Sequence, residues 1–170
     1  MENPIDLLMQ EHQIITKALE NVLGLKKLIQ ADPDKYNAEM RNYIGFFRNY
    51  ADNFHHQKEE RILFIQMKRK KEEMGDGVLK EMYDNHADFR DMLSDIESLI
   101  DDGKYEKSFR EYEKYYNALL DHIAVEDQEV FQSALAMFTK DELVKLANLF
   151  TDTDTDLGMD YKRSMEKMVK

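Results

Sequence analysis

The sequence predicts an all-α protein: an antiparallel, up-down four-helix bundle built from two αα-hairpins, with an additional C-terminal helical segment. Only two prolines and six glycines occur among 170 residues, and 35% of the residues are charged, a composition that favours helix over sheet. Apolar residues recur at steps of three and four in four long stretches. The two halves of the chain also repeat one pattern of histidines and carboxylates.

Composition excludes several classes of function. A net charge of -11 argues against nucleic acid or an anionic membrane as a partner. The absence of cysteine excludes disulfides, thiolate metal sites and iron–sulfur clusters. The first residues are partly acidic and contain no long apolar run, so we expect no signal peptide, and no stretch is long enough to span a bilayer. We therefore expect a cytoplasmic monomer or weak homodimer.

The first helix is predicted to begin at Asn3 and Pro4, because asparagine caps helices well and proline fits the first turn. It is expected to end before residues 31–33. Its inward face follows steps of three and four: Ile5, Leu8, His12, Ile15, Leu19 and Val22.

The second helix begins near Asp34 and leads to a turn at residues 75–77. Its basic residues 68–71 complement the helix dipole at the C-terminal end. Its inward face places a histidine and a glutamate one turn apart: Met40, Ile44, Phe47, Ala51, His55, Glu59 and Ile62.

The third and fourth helices are predicted to begin near Val78 and Tyr105, on either side of a break at residues 101–103. Along the third, the inward face is Met82, His86, Phe89, Leu93, Ile96 and Ile100. Along the fourth, it is Phe109, Tyr112, Tyr116, Leu119, His122, Glu126 and Val130.

Residues 1–138 thus form the predicted bundle, and residues 139–170 form a C-terminal helix and tail packed on or flanking it. Thr139 and Glu142 have the spacing of a capping box, and the helix after them is expected to end near Phe150. Residues 151–156 alternate threonine with aspartate and predict a solvated linker. An amphipathic segment, residues 160–169, then folds back or mediates self-association.

The internal repeat identifies the paired His/Glu residues that face inward. His55 and Glu59 have the same spacing as His122 and Glu126, and on a helix such residues share a face. The residues one turn before His55 are apolar, whereas those before His56 are polar. We therefore expect His56, with Glu60, to lie outward in solvent.

Six inward residues predict a metal centre: His12, His55, Glu59, His86, His122 and Glu126. Separately satisfied core histidines with solvent-reaching glutamates are the structural alternative. Two buried glutamates would repel each other without a cation, which favours the metal. Imidazole and carboxylate without thiolate suit iron, manganese or zinc. We expect two iron ions (Fe2+ or Fe3+), bridged by the glutamates and an oxo or hydroxo group; manganese or zinc is the second choice.

These motifs, within residues 5–138, resemble a hemerythrin-like, or HHE cation-binding, domain. The resemblance implies a non-haem di-iron centre bridged by two carboxylates and an oxygen. Oxygen-carrying hemerythrins have a fifth histidine in a His-x-x-x-His pair on the third helix. Here Met82 and Arg90 flank His86 at those offsets, so the sequence resembles the four-histidine branch, which includes proteins for the repair of iron centres. Tyr83, Tyr116 or solvent could replace the missing nitrogen.

The resulting functional hypothesis is a di-iron protein that binds, senses or reacts with dioxygen, peroxide or nitric oxide. Four histidines would leave solvent positions on both ions, which favours reaction or sensing over reversible oxygen carriage. The alternative is iron storage or donation without turnover. A di-iron peroxidase or ferroxidase is a third hypothesis, although no general acid or base is evident beyond Glu60 and Asp127, which we expect to face outward. A metal-free helical interaction module is the fourth.

Overall fold

A computed structural model describes residues 3–75 and 77–169, and these residues form six helical rods without a β-strand. Helix α1 (Pro4–Leu23) continues through short turns to residue 31. Helices α3 (Val78–Asp101), α5 (Lys140–Leu157) and α6 (Met159–Val169) are uninterrupted. The other two contain π-helical segments. Helix α2 consists of Pro33–Phe46, Phe47–His56, Glu59–Leu63 and Phe64–Lys70, and α4 of Tyr105–Val125, Glu126–Val130 and Phe131–Met137.

The helices assemble as an all-α bundle, as the sequence predicts. Helix α3 packs along α4, and α1 packs against α2, α4, α5 and α6. The two C-terminal helices therefore fold back on the bundle. Within the described ranges, no helix is long and apolar enough to cross a membrane.

The core consists of two apolar clusters with a polar layer between them. On α1, Leu8 belongs to one cluster and Ile15 to the other, with His12 between them. Helix α3 repeats this arrangement, since its His86 lies between Met82 and Phe89. The bundle thus holds its histidines at one level, shielded by apolar side chains above and below.

Most helix ends follow the predicted signals. The Asn3 side chain accepts a hydrogen bond from the Ile5 backbone N–H at 3.0 Å. Thr139 and Glu142 form the predicted capping box at the start of α5. Gly103, after α3, has a φ of 70°, a conformation that glycine adopts without a Cβ penalty. The predicted turn at 75–77 includes Asp76, which lies outside the described residues.

The predicted linker at residues 151–156 is wrong, because α5 continues through it to Leu157. The three threonines lie within the helix, and each hydroxyl donates to the carbonyl oxygen four residues earlier. Asp154, which we expected in solvent, is 4% exposed. Helix α5 ends instead at Gly158, with a φ of 105°.

Candidate metal centre

The π-helical segments of α2 and α4 coincide with the His/Glu motifs. His55 and His56 end the segment Phe47–His56, Glu59 begins the next one, and Glu126 begins the segment on α4. A π-helix bonds each N–H to the carbonyl five residues back, so its turn is wider than an α-turn. Side chains that an α-helix would point apart can then share one face.

The structure brings all six predicted site residues together in the polar layer. None of them is more than 2% exposed. Helix α1 contributes one of them, α2 two, α3 one and α4 two: His12, His55, Glu59, His86, His122 and Glu126.

Glu59 lies between two groups of histidines. Its Oε1 is 3.3 Å from His55 Nε2, and its Oε2 is 3.6 Å from His86 Nε2. The two oxygens of one carboxylate therefore face different imidazoles, as a carboxylate that bridges two ions would require.

Glu126 spans the same two groups from the other side. Its Oε2 lies 3.2 Å from His12 Nε2, and its Oε1 lies 3.3 Å from His122 Nε2 and 3.7 Å from His86 Nε2. The donors thus divide into a group around His12 and His55 and a group around His86 and His122. Both glutamates contribute one oxygen to each group.

The donor atoms fit a pair of metal ions. Both oxygens of Glu59, both oxygens of Glu126, and Nε2 of His12 and His55 are buried and form no hydrogen bond. Buried polar atoms without a partner are rare and call for an explanation, such as a bound ion. His86 Nε2 and His122 Nε2 lie 3.0 Å apart. Two donors that are each about 2.1 Å from one ion are about 3.0 Å apart when they meet at a right angle.

His56 lies inside the centre, and the prediction that it faces solvent is wrong. It is 4% exposed, and its ring stacks on that of His86 with a centroid distance of 3.7 Å. One nitrogen from each of His56, His86 and His122 falls within 4.8 Å of the other two. All five histidines of the chain therefore lie in the polar layer.

With His56 buried beside His86, the structure offers five candidate nitrogen donors, where the sequence predicted four. His56 is therefore a candidate for the missing fifth nitrogen, and Met82 is a fully buried member of an apolar cluster. The Tyr83 hydroxyl donates to the Glu60 backbone carbonyl at 2.8 Å, and Tyr116 packs near Tyr112. The adjacent histidines were the signal in the sequence, but the α-helical phase directed one of them outward.

Comparison with known families agrees with this geometry. The family model described as the hemerythrin HHE cation binding domain matches residues 3–134. The chain belongs to this family. Searches among curated proteins and among solved structures gave no match. The HHE match and the clustered donors make this a metal-binding domain. Helices α5 and α6 follow the matched region.

A second layer of carboxylates fixes the imidazoles of the HHE domain. When Nδ1 of a histidine donates to a carboxylate, the tautomer is set and Nε2 is left for an ion. Four histidines have such a partner at Nδ1: His12 with Asp127 at 2.7 Å, His55 with Glu11 at 2.9 Å, His86 with Glu60 at 2.8 Å, and His56 with Asp52 at 3.3 Å.

The second layer corrects two further expectations. Glu60 and Asp127 are only 21% and 33% exposed, and both contact the inner histidines rather than facing outward freely. Sequence reasoning did not identify Glu11 or Asp52 as partners. Glu11 precedes His12 and Asp52 lies one turn before His56, so both were close in sequence to the motifs. The Asn85 side-chain amide, 3.3 Å from His122 Nδ1, occupies the corresponding place for the fifth histidine.

The carboxylates give the HHE centre a strong preference for positive charge. Burial lowers the pKa of His55, but Glu59 and Glu11 outweigh it and raise that pKa to about 10. Burial likewise opposes the charged form of His86, yet Glu126 and Glu60 raise its pKa to about 9. Burial and the neighbouring His86 lower the pKa of His56. Bound cations would satisfy these carboxylates while the imidazoles coordinate in their neutral form.

Proposed function

We propose that the domain holds two iron ions and uses them to bind, sense or react with dioxygen, nitric oxide or peroxide. One observation carries this proposal. Glu59 and Glu126 each direct one oxygen toward the first histidine group and the other oxygen toward the second, and none of these four oxygens forms a hydrogen bond. Imidazole and carboxylate donors without thiolate suit iron. A structural zinc site would need only four donors.

The two groups differ in their number of donors. His56, His86 and His122 provide three nitrogens on one side, and His12 and His55 provide two on the other. With one oxygen from each glutamate, five protein donors would hold an ion beside His86 and His122, and four would hold an ion beside His12 and His55. The position with fewer protein donors, beside His12 and His55, is where we propose that a small ligand binds. Iron bound there would supply one-electron redox chemistry and an open coordination position.

Apolar side chains and two carboxylates surround the proposed ligand position beside His12 and His55. Phe131 stacks on the His12 ring at a centroid distance of 5.3 Å, and Leu8 is fully buried one turn before His12. Such apolar surroundings limit the access of water and strengthen electrostatic interactions. Asp127 and Glu11 hold the two imidazoles by their Nδ1 atoms and fix their orientation.

Reversible oxygen binding was disfavoured on the basis of four histidine ligands. With five candidate nitrogen donors, that reason no longer applies. That inference required solvent positions on both ions, and the unequal donor groups support one open position instead. Binding, sensing and reaction therefore all remain within the proposal, and kinetics distinguishes them.

The test is rapid mixing of the anaerobic, ferrous-loaded protein with dioxygen or with nitric oxide, followed by its optical spectrum. We expect a spectral change that saturates at about one ligand per pair of ions. His12→Ala should abolish it, because this variant removes a donor beside the proposed open position. Gln57→Ala, on the same helix as His55 and His56, is the control and should respond normally. If the wild-type spectrum stays unchanged while iron passes to an apo-acceptor, storage or donation replaces this proposal.

A further inference from the structure

Four charged side chains form a buried cluster next to the metal centre. Glu11, Lys58, Asp154 and Lys162 are between 0% and 5% exposed, and we call them the buried charge square. Two carboxylates and two ammonium groups balance in charge. Burying such groups is costly, so an arrangement of this kind persists only when its members are closely paired.

Each lysine in the square bridges both carboxylates. Lys162 Nζ donates to Glu11 Oε1 and to Asp154 Oδ2, both at 2.5 Å. Lys58 Nζ donates to Glu11 Oε1 and, at 2.9 Å, to Asp154 Oδ1. The lysines thus use one oxygen of Glu11 and leave the other, Oε2, which accepts from His55 Nδ1 at 2.9 Å.

The square joins the C-terminal helices to the centre. Glu11 is on α1 and Lys58 on α2, whereas Asp154 and Lys162 are on α5 and α6, beyond the residues that the family model matches. Only one carboxylate, Glu11, separates Lys162 from His55. The C-terminal helices therefore contribute charged groups to the surroundings of His55, in addition to packing on the bundle.

We propose that Asp154 and Lys162 are positioning residues for the ion held by His12 and His55. They act through Glu11: their contacts fix the orientation of its carboxylate, and Glu11 in turn fixes the His55 ring. Partners that contact a metal ligand directly, as Glu11 contacts His55, typically account for about 10–100-fold in metal affinity or activity. Asp154 and Lys162 act one contact further out, so we expect an effect near the lower end of this range. This inference rests on the proposed function, since it assumes that metal binds at the centre.

Helix α6 has other anchors that would hold it in place without the square. The Tyr50 hydroxyl donates to Glu166 at 3.0 Å, and the Asn21 amide donates to the Val169 carbonyl at 3.0 Å. Met165 and Val169 are buried in the core. A variant that loses one charge of each sign from the square should therefore keep its fold.

The test compares two double variants with equal changes in charge. Lys162→Met/Asp154→Asn removes one lysine and one carboxylate from the square and leaves Lys58 paired with Glu11. Lys167→Met/Asp152→Asn makes the same changes at exposed positions of the same two helices. Ferrous iron is added anaerobically to each full-length protein against a competing chelator, and the urea unfolding midpoint is measured in parallel.

We expect the first variant to unfold near the wild-type midpoint but to bind one of its two ions about tenfold more weakly, with the other ion unaffected. The control should match the wild type in both measurements. Normal affinity for both ions in the first variant would overturn this inference alone. Absence of metal from the wild type would overturn the proposed function together with it.

A second readout uses the reciprocity of coupled equilibria. If docked α5 and α6 favour metal binding, metal binding must favour their docking by the same factor. Amide hydrogen exchange in α5 and α6 should slow on loading with ferrous iron in the wild type, and slow less in Lys162→Met/Asp154→Asn. Equal slowing in both proteins would contradict the coupling.

Discussion

At the scale of single residues, His56 is where the structure departs most from the sequence prediction. Its neighbour His55 was assigned to the interior from the repeat and from the phase of an α-helix, and the structure places it there. The same phase turned His56 outward. It failed because residues 47–56 form a π-helix, whose wider turn brings both rings inside. Local propensity gives no direct signal for this change of winding, so the sequence predicted four of the five histidines at the centre.

Substitution of His56 tests whether it is a ligand. His56→Leu nearly preserves the side-chain volume. We expect it to lower the affinity for one of the two ions by at least about tenfold, because loss of a direct donor should cost no less affinity than loss of an orienting partner. Asn53→Leu, at an exposed position of the same π-helical segment, is the matched control. Competition titration with ferrous iron measures both. Equal affinity in the two variants would show that His56 is not a ligand.

At the scale of helices, the sequence predicted where helices begin more accurately than how far they extend. Caps at Asn3 and Thr139 depend on neighbours within three residues, and both formed as expected. The run of threonine and aspartate at 151–156 resembled a linker, because these residues compete with helical hydrogen bonds. In the folded chain this segment is helical, and its Asp154 contacts Lys58, a residue 96 positions away. Such a partner is visible only once the bundle is assembled.

The start of α5 provides a pH-dependent test of its capping box. Lys70 and the Thr139 backbone N–H lower the pKa of Glu142 to about 2 from its ordinary value of 4.5. A carboxylate with a depressed pKa stabilises the folded state above pH 4.5, and this contribution is lost as the pH falls toward 2. Glu142→Gln should therefore unfold at lower urea concentration than the wild type at pH 7.

The difference between these urea midpoints should shrink as the pH is lowered from 5 toward 3. Asp141→Asn, a neighbouring first-turn acid with no capping role, is the control and should show a smaller difference at pH 7. A Glu142→Gln deficit that is the same at pH 7 and pH 3 would contradict this origin of the stabilisation.

At the scale of the whole molecule, the internal repeat is the feature that allowed the sequence to predict which histidines and glutamates come together. Each half contributes one lone histidine and one His/Glu pair, and assembly of the bundle places them in a polar layer between two apolar clusters. The spacing of motifs alone predicted this convergence. It did not predict the buried charge square, because Asp154 and Lys162 come from a segment outside the repeat. The C-terminal helices therefore place two charged side chains beside the candidate metal centre, an arrangement that only the folded chain shows.

The central claim is that two ions share Glu59 and Glu126, and the number of iron ions per chain tests it most directly. The protein is loaded with ferrous iron under anaerobic conditions, freed of excess metal and analysed for iron and protein. We predict two ions per chain at saturation in the wild type. Saturation at one ion, or no bound iron, would contradict the claim.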